Sequence, residues 1–266
     1  MKIKAYIALA IAALLMAACS HIDEDEQLIY VKPAPVARSV LIEDFTGQRC
    51  VNCPNAAQEI EKLIEQYGED AIVAVSIHSG PLGFHTNARF YGLSTDVGDN
   101  YYNHWNLEFQ PVGLIDRGSP VEFTAWGTQV RDELQKTAPV EIDLSTTLDG
   151  DNASIHAAVK GVDGDTDGKL QLWIVEDNIT AFQMMPDGTR NDSYVHRHVF
   201  RAAVNGEWGS DLSVKEGYTT EQDHSIALSE EWKKENLHVV AFVYNAKGVL
   251  QVTKAPLVKA PVVEGE

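Results

Sequence analysis

The sequence predicts an α/β domain followed by an all-β sandwich, and three observations carry that expectation. Two apolar runs rich in β-branched residues, Val40–Phe45 and Ala71–Ile77, flank a segment with helical spacing. After Ala138-Pro139 the hydrophobic period changes from helical to two. With 266 residues, 44% hydrophobic and 23% charged, the chain is long and apolar enough to bury a sizeable core. Acids outnumber bases 39 to 21, giving a formal charge of −18. That surplus excludes a phosphate-binding surface for nucleic acid and repels anionic lipid head groups. Three cysteines are too few for a disulfide-stapled scaffold.

Lys2 and Lys4 precede an uncharged apolar run, Ile7–Met16, which is the pattern of a signal peptide over residues 1–18 and too short to span a bilayer as a mature helix. Leu15-Met16-Ala17-Ala18-Cys19 resembles a bacterial lipobox, which implies that Cys19 is acylated, for example with palmitate. Acyl chains would then hold the protein to the membrane at about 0.8 kcal/mol per buried CH2, whatever its charge. The four successive acids Asp23–Glu26 cannot pack, so residues 19–37 read as a solvated tether. They also resemble the acidic signal of surface-exported lipoproteins of Bacteroidetes; a plain charged linker is the alternative.

Residues 38–137 form the expected α/β domain. Val40–Phe45 is a buried strand, Thr46–Arg49 a turn, and Ala56, Ala57, Ile60, Leu63, Ile64 and Tyr67 line one face of a helix that Gly68 ends. Ala71–Ile77 is apolar throughout, as in a central parallel strand. Cys50-Val51-Asn52-Cys53 therefore sits where a strand hands over to a helix, a context that reads as a dithiol–disulfide site in an exported protein. An insertion over residues 79–109 carries Tyr101, Tyr102 and Trp105 and is expected to form a helix over the site; Thr124–Thr137 is a closing helix.

These residues resemble the thioredoxin fold. Asp44 stands where thioredoxins carry a buried acid that moves a proton, and Gln110-Pro111-Val112 resembles the segment with a cis-proline that shapes the substrate groove. Arg49 replaces the usual Trp, and Val51-Asn52 replaces Gly-Pro. The resemblance implies that Cys50 is the exposed nucleophile, its thiolate favoured by the helix N-terminus and by Arg49, and that Cys53 is the buried resolving thiol. A static disulfide bracing the helix is the competing reading. His78, His85 and His104 match no zinc spacing, and neither a metal nor a cofactor is implied.

Residues 138–259 alternate. Val140, Ile142 and Leu144, then Ile155, Ala157 and Val159, then Leu170, Leu172 and Ile174 face one way between turns rich in Asp, Gly and Asn. Further strands are expected at 194–199, 222–228, 237–244 and 249–253, giving an immunoglobulin-like sandwich of about seven strands. His196 and His198 would share one face of a strand, as a metal pair or as a hydrogen-bonded surface. Asp165 and Asp167 lie in a turn lacking the ligand series of a helix–loop–helix calcium site. Residues 260–266 read as a flexible tail.

The lipobox, the Phe-Thr-Gly-x-x-Cys-x-x-Cys-Pro segment, the inserted helical region and Tyr-x-His-x-His-Val-x-Arg together resemble the Omp28-related outer-membrane lipoproteins of Bacteroidetes. The resemblance implies an outer-membrane location and leaves the activity open. Two functions stay in play: thiol–disulfide exchange with protein clients in the envelope, and a surface receptor or adhesin that holds a host or matrix protein through the sandwich loops or the insertion.

Overall fold

Val40–Thr46 and Ile72–His78 are buried along their whole length, so neither strand can lie at a solvated face. The computed structural model, which describes residues 36–258, shows what covers them. The signal peptide, Cys19, most of the tether and the tail lie outside the described residues. In chain order the first elements are β1 (Val36–Ala37), β2 (Val40–Thr46), α1 (Cys53–Tyr67), β3 (Ile72–His78), α2 (Asp96–His104), β4 (Val112–Ile115), α3 (Trp126–Leu134) and β5 (Thr137–Ala138). Then come β6 (Val140–Asp149), β7 (Asn152–Gly161), β8 (Thr166–Glu176), β9 (Ile179–Met184) and β10 (Arg190–His196). The last are β11 (Val199–Ala203), β12 (Ser210–Val214), β13 (Thr219–Ala227), β14 (Leu237–Asn245) and β15 (Gly248–Pro256).

The protein is mostly β, with few helices. One sheet of eight strands runs β15-β14-β8-β11-β3-β2-β4, with β12 paired to the other half of the β8 edge that β11 uses. β2 and β3 are parallel and β4 is antiparallel to β2. A second sheet, β13-β7-β6, is antiparallel, and β9 and β10 form a separate hairpin.

Strand alternation sends side chains to two faces. On one face of the large sheet, Val40, Ile42, Ile72 and Ala74 meet Ala56, Ile60 and Leu63 of α1 and Trp126 and Val130 of α3. Farther along the strand order, Leu170, Leu172, Ile174, Val239 and Ala241 meet Ala153, Ile155, Ala157 and Val159 of the small sheet. The opposite face carries Leu41, Phe45, Val75, Trp173, Phe200 and Phe242, packed with Tyr101 and Tyr102 of α2. Burying each such side chain contributes about 1.5–3 kcal/mol.

Several expectations change here. The period change at Ala138-Pro139 separates two patterns but not two hydrophobic bodies, because β3 pairs in parallel with β11 and one aromatic core takes residues from both halves. The sandwich is correspondingly not free-standing: the small sheet packs on a large sheet that continues into the α/β half. The strand expected at 194–199 is broken. β10 ends at His196, His198 adopts a left-handed φ of 56°, and its N–H donates to Asp177 Oδ1 at 2.6 Å, so β11 starts anew at Val199. The inserted helix α2 lies on the face opposite Asp44, since Tyr102 stacks edge-on against Phe45, the residue that alternates with Asp44. The closing helix spans only Trp126–Leu134 after a 3-10 turn at Phe123–Ala125.

A fragment of residues 36–137 leaves the β3 edge unpaired and half of the aromatic core uncovered. It is expected to lack a cooperative thermal transition, whereas the whole body melts as one unit. Trp173→Ala, which removes contacts to Tyr101, Phe200 and Phe242, is expected to lower the stability of that unit by about 3–5 kcal/mol. Scanning calorimetry checks both; a fragment that melts cooperatively by itself would make the first half a domain in its own right.

Candidate functional site

The site begins with the turn between β2 and α1. Cys50 N–H donates to Gly47 O at 3.0 Å, Asn52 precedes the helix without a side-chain cap bond, and Cys53 is the first helical residue, with Pro54 next. Proline suits that position because its missing N–H would have no helical partner. Gly68, at φ 94°, ends the helix and donates to Ile64 O at 2.8 Å. Cys50 and Cys53 are joined as a disulfide with a Cα–Cα distance of 5.4 Å.

Two segments close on this turn. From one side comes the loop after β3: Arg49 N–H donates to Leu82 O at 3.1 Å, and a Cβ on Gly47 would lie 2.3 Å from that same oxygen. From the other comes the β9–β10 hairpin, where Met184 N–H donates to Gln48 O at 2.9 Å. Three glutamines with no sequence signature fasten the assembly. Gln183 donates to Cys50 O at 2.8 Å and to Gly47 O at 3.3 Å. Gln48 donates to Phe182 O at 3.1 Å and Tyr91 O at 3.2 Å while accepting from Leu93 N–H at 2.9 Å. Gln110 donates to Thr46 O at 2.7 Å and Ser79 O at 2.8 Å. Truncating any one removes the side-chain donor of a carbonyl such as Cys50 O or Ser79 O, and a buried carbonyl left unpaired costs about 1–3 kcal/mol. Outside them, Phe84, Phe90 and Phe182 form an edge-to-face trio, with Arg49 over Phe84 and Arg190 over Phe90 and Phe182.

As a result Cys50 is not exposed as expected; it is 1% accessible. Arg49 is exposed and spends its guanidinium on Phe84. The Gln110–Pro111 peptide is cis and Pro111 is buried at the start of β4. Cys53, Asp44 and Gln183 instead share the wall of a cavity of about 330 Å³. Ser76, His78 and His196 are also in that wall. All six are buried, whereas Glu61, Val195 and Arg197 at the rim are exposed. His78 and His196 stack edge-on with ring centroids 5.1 Å apart, and Tyr194 lies 4.8 Å from His196. His198, separated from His196 by the turn, pairs with Asp177 at 3.3 Å. The two histidines therefore do not form a metal pair on one strand. His85 pairs with Asp99 at 2.7 Å and His104 packs on Trp208, so neither joins the cysteines.

The electrostatics of the cavity floor follow from burial. Asp44 has no cation beside it, and desolvation pushes its carboxyl up to about 7, only partly offset by the Ser76 hydroxyl opposite it in the β2–β3 register. Burial pushes His196 down to about 4, against the Phe182 and Ala181 carbonyls, which favour its protonated form. Burial, with His196 adding to it, holds His78 well below the ordinary imidazole range. Among the described residues, Asp44 Oδ1, His78 Nδ1 and His196 Nε2 have no hydrogen-bond partner. Such a floor can hold and release one proton near neutrality beside a sulfur.

The family model for outer membrane protein Omp28 matches residues 98–260, more than half of the chain. The chain belongs to the Omp28 family. It is accordingly an outer-membrane protein related to those of Bacteroidetes. HBP35 of Porphyromonas gingivalis superposes with a TM-score of 0.68 at 18% identity, over 88% of this chain and 80% of that one, a likeness of fold. A domain of the outer membrane lipoprotein Omp28 from Porphyromonas gingivalis is 22% identical over 45% of this chain and 88% of that one, at a TM-score of 0.35. A search of curated proteins finds no match. The matched residues of this Omp28-family chain include His196 but not the cysteine pair.

Asp44 binds its proton more tightly folded, at about 7, than its ordinary value of 3.8. Its contribution to stability is therefore full below about pH 4 and is lost as pH rises through about 7. Asp44→Asn escapes that loss. The variant is expected to exceed the parent by on the order of 2–4 kcal/mol at pH 8, and the gap to close towards pH 4. Urea unfolding at the two pH values checks this; a gap independent of pH would mean that Asp44 does not titrate as its burial requires.

Proposed function

We propose that this outer-membrane protein exchanges thiols and disulfides with protein clients of the cell envelope through Cys50 and Cys53. One observation carries the reading: a buried acid with no cation, Asp44, opens onto the same cavity as Cys53. A disulfide that only braced a helix would need no such acid, and an uncompensated buried carboxylate costs several kcal/mol when ionised. A thioredoxin-like reading of the first half is supported by the order β2–α1–β3 with the cysteines before the helix, by β4 antiparallel beside β2, and by α3 closing that face.

In the reduced state the Cys50 thiolate is stabilised by the N-terminus of α1 and attacks a client disulfide. Cys50 is buried, so attack on a client requires the loop held to the turn by the Arg49 N–H to Leu82 O hydrogen bond to move aside. Cys53 then displaces the client, and Asp44 takes the Cys53 proton. The envelope setting follows if Cys19 is acylated and residues 19–37 tether the fold to the outer membrane, either face of which is compatible with this reading.

A second reading, a receptor or adhesin for a host or matrix protein in which the disulfide is structural, is favoured by the burial of both sulfurs. Equilibration in glutathione buffers separates the two. Exchange requires a reduction potential between about −270 and −120 mV, and Cys50→Ser is expected to abolish reduction of a model disulfide. A potential below about −300 mV would mark a structural bridge and hand the lead to the binding reading.

A further inference from the structure

The cavity beside Cys53 holds more titratable groups than disulfide exchange at Cys50 and Cys53 uses. Asp44 lies at its buried floor, and a proton that it takes from Cys53 must leave again before the next turnover. His196 shares the wall of that cavity. It comes from β10, whose residues are about 140 positions from the cysteines in sequence, yet it lines the cavity with Asp44 and Cys53. His196 is 5% exposed, and among the described residues its Nε2 has no hydrogen-bond partner. An imidazole nitrogen buried without a partner costs stability, and here it does so in the wall of the cavity that Asp44 and Cys53 share. The neighbouring groups are His78 on β3, Glu61 on α1, Tyr194 on its own strand, and Arg197 and His198 in the turn that follows. His78, 5.1 Å away, keeps two protons from residing on the pair at once. From His196 the wall continues to the exposed Val195 and Arg197.

We infer that His196 carries the proton of the resolving thiol between Asp44 and the cavity mouth. This rests on the exchange reading. In the mixed disulfide, Cys53 Sγ–H gives its proton to the Asp44 carboxylate, and the Cys53 thiolate attacks Cys50 Sγ. The Cys50–Cys53 bond forms and the Cys50–client bond breaks, releasing the client sulfur as a thiolate. The proton passes from Asp44 to His196 Nε2 and out to that thiolate. Over both steps the two cysteine thiols are oxidised to a disulfide and the client disulfide is reduced to two thiols. A dithiol donor restores the reduced pair. His196 acts through Asp44 and does not touch the reacting sulfurs.

The test uses the reduced protein and an aromatic disulfide, dithiobis(nitrobenzoate), whose two thiolates are released in turn, the first by Cys50 and the second by Cys53. Cys53→Ser isolates the first release. His196→Gln is expected to leave the first release unchanged and to slow the second by roughly a hundredfold at pH 7, with an altered pH profile. In His196→Ala, added imidazole is expected to restore the second release. A second release equal to the parent's across pH in His196→Gln would overturn the relay while leaving exchange intact. Slowing in both variants that imidazole does not relieve would also overturn it, because the ring would then act through packing. No release from the unaltered protein would sink the exchange reading, and the relay with it.

Discussion

Among the described residues, the joining of the two halves into one sheet depends on one short parallel ladder, β3 against β11. Ser76 N–H donates to His198 O at 2.7 Å, and Val199 lies opposite Ser76 in register. Without it β3 would be an edge strand with seven buried residues and nothing to cover its backbone. With it, a helix-flanked sheet and a long antiparallel sheet become one, and Trp173, Phe200 and Phe242 from the second half fill a core with Phe45 and Tyr101 from the first. The same ladder sets the site. Because β10 runs into β11 through the His198 turn, pinning Val199 to β3 swings Tyr194 and His196 over the floor formed by Asp44 and His78.

The polar groups of the interior fall into two kinds. Gln48, Gln110 and Gln183 are satisfied: each spans chain segments that no regular ladder joins. They replace the missing backbone pairing around the cysteine turn. Asp116 belongs with them, since it accepts from Leu41 N–H at 2.8 Å and pairs with Arg38 at 2.9 Å while its carboxyl is still pushed up, by burial, to about 6. The other kind is buried with an atom that has no hydrogen-bond partner among the described residues, and includes Glu43, Asp44, His78, Gln171 and His196. Of these, Asp44, His78 and His196 open onto one cavity.

Another buried acid, Glu43, stands on the opposite face from Asp44. It lies 3.5 Å from Arg117, whose guanidinium sits among Trp173, Trp208, Phe242 and Tyr244, the nearest ring centroid being that of Tyr244 at 4.1 Å. Burial pushes Glu43 up to about 7, opposed by Arg117. The contrast with Asp44 is instructive. Two adjacent acids of one strand share the same depth, but alternation gives one a cation and aromatic walls, and the other a sulfur, two imidazoles and a cavity.

The sequence by itself determined the local elements and the chemistry available to them. Apolar runs without a polar face specified β2 and β3 as central strands; helical spacing ending at Gly68 specified α1; alternation specified β6, β7, β8 and β14. The Cys-x-x-Cys between a strand and a helix announced the disulfide, and Asp44 at a strand position was recognisable as a buried acid. Only the tertiary structure decided which strands share a sheet. Pairing across the Ala138 boundary is set by backbone hydrogen bonds that have no side-chain signature, and the short β9, β11 and β12 carry too few residues for a period to show. The expectation that His196 and His198 share one face of a strand failed because alternation in the sequence cannot reveal a left-handed residue at His198. The burial of Cys50 was equally hidden: it comes from a loop and a hairpin remote in sequence, fastened by glutamines that look like surface residues until the carbonyls they serve are brought beside them.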